Sequence, residues 1–132
     1  MVTLKNDSVI QVGAKGLTIK DSAGNGGFMK SDVNGTRGFF ASFEDKATLN
    51  IEGGTFNGNY LIGQSANTET SITVTVKGGT YKLDGFIYNG LSKATLSIQG
   101  GTFNIDPTGT EFLDDSAYNV TYVNNNWYVT KK

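Results

Sequence analysis

The chain has 132 residues, the size of one domain, with 11 basic and 12 acidic side chains and a formal net charge of −1. Without a basic excess to neutralise phosphates a nucleic-acid partner is not expected, and without cysteine there is neither a disulfide nor a thiolate metal site. Histidine is absent too, which removes Ser-His and Cys-His nucleophilic catalysis, His-ligated zinc and the usual proton shuttle near neutral pH.

Residues 1–16 read as an irregular first turn and N-terminal cap. Lys5 and Asp7 interrupt Met1 to Ile10, so this stretch lacks the apolar run of a secretory signal. No stretch approaches 18 apolar residues, so no membrane insertion is expected. The 18 glycines with a single proline, Pro107, point to many tight turns, not to disorder or collagen.

From residue 16 the chain repeats. Residues 37–57 (RGFFASFEDKATLNIEGGTFN) and 84–104 (DGFIYNGLSKATLSIQGGTFN) are identical at 12 of 21 positions without a gap. Residues 71–81 (SITVTVKGGTY) are a third copy of the same segment, and residues 16–22 (GLTIKDS) a degenerate earlier one with Asp21-Ser22 in place of Gly-Gly. The pairs Gly53-Gly54, Gly78-Gly79 and Gly100-Gly101 are spaced by 25 and 22 residues, which fits one coil of a solenoid and is too short for a helix pair.

Within each copy apolar and polar residues alternate strictly, the mark of a strand with one buried face. Parallel stacking of the copies then builds one interior ladder from Leu17, Leu49, Val74 and Leu96 and a second from Ile19, Ile51, Val76 and Ile98. Phe56, Tyr81 and Phe103 should stack after each glycine corner. An outer ladder of Lys20, Glu52, Lys77 and Gln99 places opposite charges side by side at two steps. A second strand per coil is expected in residues 8–12, 38–43, 59–63 and 85–89, and a short third strand through each Thr-Phe or Thr-Tyr. The glycine-rich segment from Asp21 to Gly38 is placed as a loop.

After Phe103 the repeat decays. Tyr118, Val120 and Tyr122 alternate, three asparagines follow, and then Trp127 and Val129, which reads as a β-hairpin laid over the last coil with the sole tryptophan as a lid on the open core. The fold class expected is therefore all-β: a right-handed single-stranded parallel β-helix of about four coils with a C-terminal β-hairpin cap. Residues 1–132 form one domain, with coils over 17–104 and the C-terminal cap over 105–132.

The pattern TLxIxGGTFN followed by DPTGTEFLDDSAYNVTYVNNNWYV resembles the GGTF-type β-helix repeat modules of gut-bacterial surface proteins and of the virion proteins of their phages. The likeness rests on Gly100 to Phe103, Asp106-Pro107, Phe112-Leu113, Tyr118 and Trp127 to Val129, and covers roughly residues 16–132. DDSAY departs from the pattern, which usually has a glycine just before the tyrosine. The resemblance implies a structural or adhesive role and carries over no catalytic residue.

Candidate chemistry is sparse. Glu44, Asp45 and Asp84, with Arg37, Lys46 and Lys93, could be imagined on one face as the paired carboxylates of a glycosidase, but read more simply as solvated turn residues. Asp114-Asp115 reads as a turn and not a calcium site, and residues 21–28 as a turn and not a phosphate loop. The threonine face (Thr48, Thr73, Thr95, with Asn50, Thr75, Ser97) has the outline of an ice-binding array. Only one strand carries a Thr-x-Thr pair, so it reads as ordinary β-propensity. The aromatic side chains Phe40, Phe43, Tyr60 and Tyr88 are the candidate binding surface, for a sugar ring or a partner protein. The function expected is non-enzymatic, without cofactor or metal. A phage virion component such as a capsid decoration, head fibre or tail accessory protein comes first, and a bacterial cell-surface adhesin module is the alternative. The partners expected are other virion proteins or a cell-surface glycan, with a homo-oligomer open.

Overall fold

The computed structural model describes residues 2–5, 9–30, 38–41, 44–63, 72–87 and 94–132. Its described residues hold thirteen strands and no helix. One sheet of seven strands is built from β1 (Val2–Leu4), β3 (Gly27–Lys30), β5 (Thr55–Asn57), β8 (Thr80–Lys82), β11 (Gly101–Phe103), β13 (Asn126–Lys131) and β12 (Tyr118–Val123), in that spatial order. A second sheet runs β2 (Leu17–Ile19), β4 (Thr48–Ile51), β7 (Ile72–Val76), β10 (Ala94–Ile98). A third pairs β6 (Tyr60–Ile62) with β9 (Gly85–Ile87). All pairings among β1 to β11 are parallel, and only the C-terminal hairpin is antiparallel.

The expected ladders are present. Leu17, Leu49, Val74 and Leu96 are Cα partners across the four-stranded sheet, as are Ile19, Ile51, Val76 and Ile98. Phe56 stacks on Tyr81 at 5.2 Å between ring centroids and Tyr81 on Phe103 at 4.8 Å, both with nearly parallel rings. These residues lie in one hydrophobic cluster that draws side chains from all three sheets. Buried aromatic side chains bring the largest apolar areas, so the stack is a main source of stability. The Tyr81 hydroxyl inside it is accommodated by donating to the Gly78 carbonyl at 2.7 Å.

The Gly-Gly corners have two separate requirements. The second glycine takes positive φ, +102° at Gly54, +103° at Gly79 and +112° at Gly101, a region that side chains disfavour. At two of the corners the first must also let the neighbouring repeat come close: a Cβ on Gly78 would sit 2.5 Å from the Glu52 carbonyl oxygen, and one on Gly100 2.3 Å from that of Lys77. Asn104 ties another corner, where its side-chain amide accepts from the Leu83 N–H (2.8 Å) and donates to the Leu83 carbonyl (3.0 Å). A side chain there supplies the pairing that a strand would.

Three expectations need correction. The segment from Asp21 to Gly38 is not all loop, because Gly27–Lys30 forms β3 and adds Phe28 to the aromatic stack, 5.4 Å from Phe56. Its glycine content hides the strand: Gly27 packs so near the Thr55 carbonyl that a Cβ would be 2.2 Å away. The second strand per repeat is incomplete, since Ile10, Phe40 and Ile62 are joined only by isolated parallel bridges. Residues 1–16, expected as the first coil and N-terminal cap, contribute β1, a parallel strand at the edge of the large sheet. Trp127, finally, is no lid. Its ring packs on Tyr122 at 4.5 Å, and the core is closed by Leu113 and Val129, with Phe112, Tyr118 and Val120 packed against it.

Candidate functional site

The four aromatic residues expected to form a binding surface are not brought together there. Phe40 is fully buried and lies 6.0 Å from Phe56, so it belongs to the core. Strict alternation would turn one residue of each adjacent pair outward, but at this corner Phe39 and Phe40 both point inward, as do Leu61 and Ile62. Backbone bonds from Phe39 N–H to the Tyr60 carbonyl and from Phe40 N–H to the Leu61 carbonyl hold the segment without a regular pleat. Tyr60 is half-buried and pairs with Gly85, over which its ring lies. Phe43 and Tyr88 fall outside the described residues.

The acidic residues hold turns. The Glu44 carboxylate accepts from the Ala14 N–H at 2.8 Å and ties the loop before β2 to the one before β4. Asp21 accepts from the N–H groups of Gly24 and Gly26, both at 3.0 Å, which closes the turn ahead of β3. Asp114 accepts from the Ser116 hydroxyl at 2.6 Å and its N–H at 3.0 Å. These bonds, the hydroxyl's first, hold its carboxyl below the usual range. Asp45 and Asp84 are exposed, and Arg37 and Lys93 lie outside the described residues. Among the described residues no group of three or more acidic side chains is placed to hold a metal ion.

Two surfaces remain. The outer face of the four-stranded sheet is a polar lattice with Thr48, Thr73 and Thr95 in one row and Thr18, Asn50, Thr75 and Ser97 in the next. Beside it Lys20 and Glu52 form an ion pair at 3.7 Å, which is exposed and contributes at most about 1 kcal/mol. The second expected step, from Glu52 to Lys77, forms no ion pair among the described residues.

The other surface is the hairpin. Asn124 and Asn125 take φ of +52° and +65°, as a type I′ turn requires, and asparagine tolerates this better than most residues. The tight turn pairs Tyr122 with Trp127, and directly opposed residues share a face. Tyr122 is 56 % exposed on that face, and Val123, 46 %, and Tyr128, 37 %, lie on the opposite one. The Tyr122 hydroxyl donates to the Asn125 side-chain oxygen at 3.1 Å, which steadies the ring at the hairpin tip. Sequence reasoning passed over this patch because it assigned the whole hairpin to capping. The available signal was Tyr122, which continues the alternation of Tyr118 and Val120 one step beyond the residues that pack on the core.

At the opposite end a cleft of about 360 Å³ opens between Val2, Ile19, Lys20, Asp21, Phe28 and Gly54. Its floor is apolar, and its charged groups are already engaged, Lys20 with Glu52 and Asp21 with the glycine turn. Compared with protein-family models, curated proteins and solved structures, the chain matches none.

Proposed function

We propose that the chain is a right-handed parallel β-helix that serves as a non-enzymatic structural or binding module, carried on a phage virion as a capsid decoration, head fibre or tail accessory protein. The observation that carries the β-helix reading is the strand order. Successive repeats add β3, β5, β8 and β11 to one sheet and β2, β4, β7 and β10 to another, always side by side and parallel. Winding the chain produces that order, whereas consecutive hairpins would alternate direction. The module role is supported by the use of the acidic side chains, since Glu44, Asp21 and Asp114 bind backbone groups of turns. It is supported also by where apolar surface is left. The exposed large hydrophobic residues described are Val2 and Met29 at one end and Tyr122, Val123 and Tyr128 at the other. A rod with apolar ends suits end-on assembly.

The second reading is a glycan-binding module of a bacterial surface adhesin. The Tyr122–Trp127 pair beside Asn124 and Asn125 favours it, because aromatic faces stack on sugar rings and amides bind hydroxyl groups. Mass spectrometry of purified phage particles and of the cell-surface fraction separates the two. Stoichiometric copies in virions support the first reading; peptides confined to the cell surface, with binding on a glycan array lost in Tyr122→Ala, support the second. Turnover of a glycan that disappears in Glu44→Gln would overturn both.

A further inference from the structure

The strand β12 leaves the large sheet with a bare edge. The Lys132 N–H donates to the Ala117 carbonyl at 2.9 Å, and bonded pairs recur at every second residue from there to the turn. Asn119, Thr121 and Val123 thus bond to β13, and the backbone groups of Val120 and Tyr122 point the other way. The Tyr118 N–H points outward too, but donates to the Asp114 carbonyl at 3.1 Å. Among the described residues no strand lies beyond β12.

The other edges of the two larger sheets are guarded. The three-residue β1 is followed by Lys5, and β2 lies between Lys15 and Lys20. The edge of β10 is met by the Phe112 carbonyl, which accepts from the Ile98 N–H at 2.8 Å. By contrast, β12 is six residues of uncharged, β-prone sequence (YNVTYV), without proline and without a break in its register. Natural proteins rarely leave such an edge open, because it templates the addition of another strand.

We propose that β12 pairs antiparallel with β12 of a second copy, about a two-fold axis through Thr121. The register follows from the free groups. Opposed residues must share a face, and Val120 and Tyr122 are the outward positions with both backbone groups unused. Val120 of each copy therefore faces Tyr122 of the other, giving four backbone hydrogen bonds, with Thr121 opposite Thr121 and Asn119 opposite Val123. The strand is self-complementary in this register: no like charges meet, and an aromatic ring opposes a β-branched side chain at both bonded pairs. Pairing also covers part of the exposed Tyr122 and Val123. A head-to-tail contact is geometrically open, since β12 runs parallel to β1, but β1 offers half the length and a lysine beside it. This dimer does not depend on whether the chain belongs to a virion or a cell surface.

The test is sedimentation of the full chain over a wide concentration range, combined with hydrogen exchange at each concentration. The mass should rise from one chain to two, and the Val120 and Tyr122 amides should slow in step. Thr121→Lys sets two ammonium groups against each other across the axis and should weaken the dimer roughly tenfold or more, with thermal unfolding of the single chain unchanged. Should that variant fail to fold, the concentration dependence of the two amides in the unaltered chain still decides. A mass of one chain throughout, a dimer untouched by Thr121→Lys, or growth without limit by head-to-tail addition would each overturn the proposal.

Discussion

The two ends of the repeat array are built from similar strands but finish differently. At the last repeat, β13 turns back antiparallel on β11, Phe103 is fully buried under the aromatic stack, and residues 105–117 bring Leu113 and Phe112 over the core. At the first repeat, Phe28 ends the same stack half-buried, beside an open cleft. The middle repeats need no such devices, because each lies between two others. Repetition thus solves the packing of every position except the first and last, and stability at the ends rests on residues outside the repeat.

This contrast can be broken from the middle outward. Ile51 is fully buried among the central ladders, and Ile51→Asp puts a charge where no partner exists. Loss of the cooperative thermal transition is expected; its survival would mean that the repeats do not share one core. The ends are compared directly by Phe103→Ala and Phe28→Ala. The first should cost about 3–5 kcal/mol in denaturant unfolding and the second less than half of that, since Phe28 retains contact with solvent. Equal losses would show that the open end is as well closed as the other.

A smaller effect tests the middle of the stack. Burial pushes the Tyr81 hydroxyl well above its ordinary pKa of 10.0, so the folded state holds the proton more tightly than the unfolded chain. The resulting stability is complete below the unfolded value and declines as pH rises past it toward the folded value. Tyr81→Phe should cost about 0.5–1.5 kcal/mol at neutral pH through the bond to Gly78, and should reduce the loss of stability above pH 10. The smallest effect is at the closed end. Asp114 has a lowered pKa, so its contribution is present above its ordinary value of 3.8 and is lost as pH falls through the lower folded value. Asp114→Asn should lower stability slightly in the neutral region and flatten the acid limb of a stability–pH curve.

Much of the fold was legible because the chain repeats. Alternation assigns the inward face of β4, β7 and β10, and the spacing of the glycine pairs sets which residues meet, so the sequence alone aligns Leu49, Val74 and Leu96. The Asn124-Asn125 turn was legible for a different reason, as few residues accept positive φ at two successive positions. The candidate surface was much less so. Phe40 was placed on the candidate binding surface, but it sits at a corner where pleating lapses and two neighbours face inward. Phe28 was hidden among glycines that are there for close approach, not for flexibility.

The sequence by itself determined the all-β class, the register of the central ladders, the aromatic stack and the closing hairpin, because each follows from period, glycine placement or turn chemistry within a short segment. Only the tertiary structure decided which aromatic residues are buried, where Trp127 turns, and that β12 keeps an open edge. Those outcomes depend on what lies across the core or beyond the last strand, and a local pattern carries no record of a neighbour that is distant in the chain or missing altogether.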